Sequence, residues 1–238
     1  MLWLSRKDIE HISRRLLRDY LKKVPQKVDH IDPADFAEKM CGLQFTFADI
    51  SEAHDAIGLT ATSGVIITIP QRDGTKLDYE LDGKTAFIDQ SLVAENQIGR
   101  LNFTMMHEAA HQLFWMLYPE EYEAQTPLCV FRMTDEHTQY PVLDWEEWQT
   151  NVLTSFLLLP KELVYRHMAN VGLKDGISVL NRIYARKDYE RFSEAAKRLG
   201  VSKTALTIRL SQLGLVGRND LYDPYALVDI FPEKNEIA

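Results

Sequence analysis

Arg100-Leu101-Asn102-Phe103-Thr104-Met105-Met106-His107-Glu108-Ala109-Ala110-His111-Gln112-Leu113-Phe114 is the stretch on which the reading of this chain turns. It lies in a run from about Leu92 to Leu117 that is apolar at helical spacing and too long for a surface decoration. Within it His107 and His111 stand four residues apart, one turn above each other on one helix face, so both imidazoles can reach a single ion. Glu108, beside them, can polarise a water held by that ion. With ordinary residue frequencies an H-E-x-x-H pattern arises by accident in a chain of this length about 1 to 2% of the time, so the spacing is informative. Phe103, Met106, Ala110, Leu113 and Phe114 place the pair beside a core, where two histidines without partners would be costly.

A catalytic zinc takes three protein ligands and keeps a fourth position for water. A second helical run, Asp144 to Leu159 with Pro160 at its end, offers Asp144, Glu146 and Glu147. On that run Trp145, Trp148, Val152, Phe156 and Leu159 form the apolar face, and Glu147, Asn151 and Ser155 form a polar line at i, i+4 and i+8. Glu147 is the predicted third ligand, with Glu146 as the alternative, and Asn151 one turn on is placed to orient a ligand from behind. The bland alternative is that both glutamates are ordinary first-turn acids favoured by the helix dipole. Zinc is the expected ion, and manganese is accepted by the same donor types.

Upstream, Asp8 to Val24 reads as an amphipathic surface helix, and Asp32-Pro33 as an N-cap opening a short helix through Met40 that Gly42 stops. From Leu43 the apolar period becomes two. Leu43–Phe47, Val65–Ile69, Leu77–Leu81 and Thr85–Ile88 predict a small, largely antiparallel sheet, the last two joined as a hairpin at Asp82-Gly83. Downstream, Tyr118 to Leu143 reads as a long loop, the segment after Pro160 as helical to about Leu215, and Asn219 to Ala238 as an irregular tail. The fold class expected is α+β.

Composition bounds the function. The chain has 238 residues and 45% hydrophobic content, enough for one good-sized core. No run approaches the roughly 20 apolar residues of a membrane span, and Met1 to Arg6 lacks the apolar centre of a secretion signal. Cys41 and Cys129 are far apart, so no disulfide framework or thiolate site is indicated, and a soluble, cytoplasmic protein is expected. The net charge of −8 opposes general attraction to nucleic acid.

The motif segment Arg100 to His111 resembles the R-x-F-T-x-A-H-E-x-x-H segment of the ImmA/IrrE metallopeptidases, with one extra residue after the arginine. Glu147-Trp148-Gln149-Thr150-Asn151, leading to Leu157-Leu158-Leu159-Pro160, is similar to that family's E-x-[EQ]-A-N followed by F-A-x-x-L-L-x-P. Met106, Thr150 and Leu153-Thr154 depart from the pattern around the motif, not at the proposed ligands. Phe192 to Ser202, through to Arg209–Leu215, looks like the helix-turn-helix-like element that closes many of these domains.

The resemblance covers roughly Asp32 to Leu215 and implies a zincin-like catalytic domain that cleaves helix-turn-helix transcriptional repressors, in transcription regulation or a stress response. It divides the chain into an N-terminal helix (1–31), a metallopeptidase core (32–180), a helix-turn-helix-like element (181–217) and a tail (218–238). In the implied hydrolysis Glu108 takes a proton from water and passes it to the leaving amine. The oxyanion donor stays open among Tyr118, Tyr122, His137, Tyr140, Tyr165 and His167.

A competing reading makes the chain a DNA-binding or protein-binding regulator with a non-catalytic core. Between Arg182 and Arg209 eight basic residues face three acids, and Gly200-Val201-Ser202 can join two helices with Ser202 as N-cap. Helix pairs with tight turns are common without DNA, so weak contact through 182–209 is the most this feature predicts.

Overall fold

Helix α1 (Arg6–Lys23) starts at a capping box: Ser5 Oγ accepts from the Asp8 amide and the Asp8 carboxylate accepts from the Ser5 amide. Its apolar face buries Ile9, Leu17 and Tyr20. Helix α2 (Pro33–Cys41) is capped by Asp32, which accepts from the amides of Ala34 and Asp35, and stops at Gly42 in the left-handed region, φ 68°. Both helices match the sequence reading. The computed structural model describes residues 3–24, 27–71, 73–122, 128–132 and 145–225, and they form a mixed α+β fold.

The strands that follow are β1 (Gln44–Ala48), β2 (Ala56–Ala61), β3 (Val65–Pro70), β4 (Lys76–Leu81), β5 (Thr85–Asp89) and, beyond helices α3 (Ile98–Leu117) and α4 (Pro119–Tyr122), β6 (Leu128–Arg132). They split into two sheets. A four-stranded sheet runs β1-β5-β2-β6, and β3 and β4 form a separate hairpin. The expected hairpin at Asp82-Gly83 is therefore corrected. β4 pairs with β3, whereas β5 runs parallel to β1, from Gln44 opposite Thr85 to Ala48 opposite Asp89, and antiparallel to β2. Gly83 does turn the chain, with φ 72°, but the turn carries it from one layer to the next. Seating β5 between β1 and β2 covers both of its faces: Phe87 packs toward the hairpin with Leu59, Ile67 and Ile69, and Ala86 and Ile88 pack toward the helices.

The same layering explains why β2 escapes period-two detection. All six of its residues are buried, because the hairpin covers one face and α3 the other. Two further boundaries are corrected. α3 begins at Ile98, not near Leu92, because Gln90–Val93 and Glu95–Gln97 form short 3-10 turns, the first capped by Asp89. The stretch read as a loop from Tyr118 to Leu143 contains α4 and β6; residues 123–127 and 133–144 lie outside the described residues.

Helices α5 (Trp145–Leu158) and α6 (Lys161–Asn170) flank Pro160, then β7 (Ile177–Leu180), α7 (Arg186–Leu199), α8 (Lys203–Gln212) and β8 (Val216–Asn219) complete the described chain. β7 and β8 pair in parallel inside a region read as helical, so boundaries after residues 180 and 217 cut through a paired unit. Of the predicted tail, residues 226–238 lie outside the described residues, and Pro224 is tied to Asn181, whose side-chain amide donates to its carbonyl at 2.8 Å. Asn102 and Gly99 of α3 meet the α7–α8 turn: Asn102 donates to the Gly200 carbonyl at 2.8 Å, and a Cβ on Gly99 would overlap Ser202 and lie 2.6 Å from the Val201 carbonyl carbon.

Candidate metal centre

Helical geometry sorts the α3 side chains by face. Thr104, Glu108 and Gln112 point at β2, where Gln112 donates to Thr60 Oγ1 at 2.9 Å and to the Ala61 carbonyl at 3.1 Å. His107 and His111 point instead at α5, which presents Glu147, Thr150 and Asn151. The two Nε2 atoms lie 3.1 Å apart; Glu147 Oε2 is 3.2 Å from that of His107, and Glu147 Oε1 is 3.1 Å from that of His111. Nitrogen and oxygen ligands at about 2.0–2.1 Å from a tetrahedral zinc sit about 3.3 Å from one another, so the trio closes on a metal with adjustments of a few tenths of an ångström. His107 and His111 are buried while the Glu147 side chain keeps 31% exposure, which leaves solvent access beside the carboxylate. Among the described residues this trio is the group able to hold a metal ion. Glu146 is not part of it, and Asp144 lies outside the described residues.

Electrostatics favour a metal-ready trio. Burial holds the His107 imidazole below its ordinary value, the neutral form that ligates metals. Burial acts to raise the Glu147 carboxyl, but the hydrogen bonds from His107 and His111 outweigh it and hold the group well below the usual carboxylate range. Glu108 is the contrast: burial, reinforced by the negative charge of Glu147, pushes its carboxyl well above the ordinary range. Both Glu108 oxygens are buried without a hydrogen-bond partner. A buried carboxyl with no donor facing it is costly unless a water, substrate or metal-side group completes it.

The surroundings include residues that pattern reading passed over. Phe131 of β6 stacks on the His107 ring, centroids 4.0 Å apart and planes 19° from parallel. Asn151 interacts with His107, and His107 Nδ1 has no hydrogen-bond partner, so the stack adds to the Glu147 contact in orienting the ring. Thr150 Oγ1 stands 3.4 Å from His111 Nδ1. Thr150 was visible as a departure from the family pattern; Phe131 carried no signal, sitting in an apparent loop. Behind Glu147, Trp145 stacks on Trp148 at 4.4 Å and meets Trp3 in a tilted contact at 4.8 Å, and Gln149 accepts from the Leu4 amide at 3.0 Å, so the N-terminal segment braces the start of α5.

The remaining predicted donors fall elsewhere. His167 is buried with Nε2 2.7 Å from the Asp29 carbonyl, Tyr165 lies beneath Lys161 on α6, and Tyr118 ends α3 near Asp8 and Arg15. His137, Tyr140 and the side chain of Tyr122 are outside the described residues. Cavities of about 680 Å³ between β1 and the β3–β4 hairpin and about 630 Å³ between α1 and α6 are not lined by the trio.

In the helix-turn-helix-like element Ser202 caps α8 by accepting from the Ala205 amide, as expected. Five of its eight basic residues are engaged: Arg186, Arg191 and Arg198 pair with Glu190, Asp188 and Glu194, Lys203 donates to Tyr189, and Arg209 is buried against Phe156 and the Leu159 carbonyl. No helix among the described residues is long and apolar enough to cross a membrane. Comparison with protein-family profiles and with curated proteins finds no match to this chain.

Proposed function

We propose that this chain is a zinc-dependent peptidase of the ImmA/IrrE kind, with a zincin-like core, acting in the cytoplasm on a helix-turn-helix transcriptional repressor. The observation that carries the hydrolytic reading is the pairing of a closed His107–His111–Glu147 trio with a buried, unpartnered Glu108 on the next face of the same helix. The repressor as substrate rests on the resemblance of the motif segments alone. Zinc bound by the trio would supply Lewis-acid polarisation of the scissile carbonyl and of the attacking water. His107 and His111 would hold it through Nε2 and Glu147 through its carboxylate, whose side chain is partly exposed to solvent. Glu108 takes the proton of the attacking water and delivers it to the departing amine, a role its raised proton affinity suits.

Metal content by plasma mass spectrometry, with fold checked by circular dichroism, tests the trio. Wild type should carry about one zinc per chain; His107→Ala and Glu147→Ala should lose it and Glu146→Ala should keep it. Glu108→Gln should retain zinc and fold while cleavage of a co-expressed repressor falls by about 100-fold or more. A wild-type chain that takes no metal even when zinc is supplied sinks the peptidase reading.

A further inference from the structure

Strand β2 departs from regular pairing where it passes Glu108. Ala56 is opposite Arg132 and Gly58 is opposite Phe131, so two residues of β2 advance against one of β6: a β-bulge. The bulge breaks the alternation of faces. Ala56 and Leu59 pack toward the hairpin, whereas Ile57 and Gly58, neighbours in sequence, both face α3: Ile57 joins Met105, and the missing side chain of Gly58 would point at Glu108. Thr60 returns to the α3 side and meets Gln112. In an unbulged strand the residue after Ile57 would face the hairpin.

The room left at Gly58 is occupied. A Cβ there would overlap Glu108 Oε1, lie 3.1 Å from its Cδ and 2.7 Å from Thr104 Cγ2. No φ in the left-handed region calls for glycine at this position, so the requirement is one of space. Since neither Glu108 oxygen has a hydrogen-bond partner, the carboxylate is located by the walls around it, and the Gly58 backbone is one of those walls.

We propose that Gly58, delivered to the α3 side by the β2 bulge, is a positioning residue that sets where the Glu108 carboxylate sits relative to the His107–His111–Glu147 trio. The inference rests on the hydrolytic reading for its functional meaning, but its steric content stands apart from it. Any side chain at 58 pushes the carboxylate off its present position, and the nearest atoms that a Cβ there would meet belong to Glu108 and Thr104, not to the trio, which stays able to bind metal.

The test combines a double-mutant cycle with a spectroscopic probe, using the full chain and cobalt(II) in place of zinc. Gly58→Ala, Glu108→Ala and the double variant are compared with wild type by thermal melting of metal-free protein and by the visible spectrum of the cobalt-loaded protein, which reports the geometry and solvent ligand at the metal. Gly58→Ala should lower the melting temperature in the Glu108 background and by less in the Glu108→Ala background, where the overlap with the carboxylate is gone and only the close approach to Thr104 Cγ2 remains. Its cobalt affinity should stay within about threefold of wild type, and its spectrum should move toward that of Glu108→Ala. An equal loss in both backgrounds, or an unchanged spectrum, overturns the proposal. If Gly58→Ala does not fold, the double variant decides: folding supports the proposal and failure to fold overturns it. A wild type that binds no cobalt or zinc would remove the peptidase reading, and the melting cycle alone would then uphold or overturn the steric claim.

Discussion

Glu108 and His107 are adjacent in sequence and nearly opposite in electrostatic condition, because one helical step of about 100° turns one toward β2 and the other toward α5. His107 has a carboxylate partner and a stacked ring; Glu108 has neither donor nor counter-charge. Its folded proton affinity is raised, so in the metal-free protein it contributes stability that is fully present below its ordinary value of 4.5 and is lost as pH rises toward the raised folded value. Glu108→Gln removes that dependence. Chelator-treated Glu108→Gln should melt roughly 3–6 °C above wild type at pH 8 and much closer to it near pH 4.5, where both carry a neutral group. A difference that does not change with pH would show that Glu108 is not the source. His107 was legible in the motif, but its orientation was not: the stack with Phe131 depends on a strand that a loop-like composition concealed.

At the scale of elements, α3 is the piece on which the others converge. Its N-terminal turns hold the α7–α8 turn, its middle carries the trio's histidines, and its outer face reads the bulged β2. The helix-turn-helix-like unit is thus a buttress for α3 through Gly99 and Asn102. Gly99→Ala would place a Cβ against the Ser202 backbone, which cannot move aside as a flexible side chain can, and overpacking of that kind costs about 1–3 kcal/mol. Chemical denaturation should show a loss of that size, and Asn102→Ala a smaller one of about 1 kcal/mol. No loss in Gly99→Ala would mean that the turn is not held by α3. Helices α1, α2, α5 and α8 were readable because caps and apolar stripes are local signals. β2, β6 and the β7–β8 pair were not, since short strands covered on both faces or placed at an edge carry no alternation to detect.

For the whole molecule, the layers are the β3–β4 hairpin, the four-stranded sheet, and α3 with the helices packed on it, and the His107–His111–Glu147 trio lies within the helical layer, drawing its members from α3 and α5. An ion bound there links α3 to α5 and should stabilise the fold by mass action, by about 2.7 kcal/mol when free zinc is 100 times its dissociation constant. Protons compete for the same atoms, so the zinc-induced rise in melting temperature should shrink as pH falls from 7.5 to 5.5 and be absent in His107→Ala at either pH. A rise of equal size in His107→Ala would locate the stabilising metal elsewhere. What the sequence alone determined is what depends on neighbours three and four residues apart: the paired histidines, the glutamate between them, the polar line that singles out Glu147, and the caps of several helices. What only the tertiary structure decided is what depends on contacts across the chain: the parallel seat of β5, the bulge that turns Gly58 toward Glu108, the Phe131 stack and the closing of α5 onto α3. Helical periodicity reports which residues share a face. It carries no information on which distant segment will cover that face, because that choice is made by burying the most apolar surface over the whole fold.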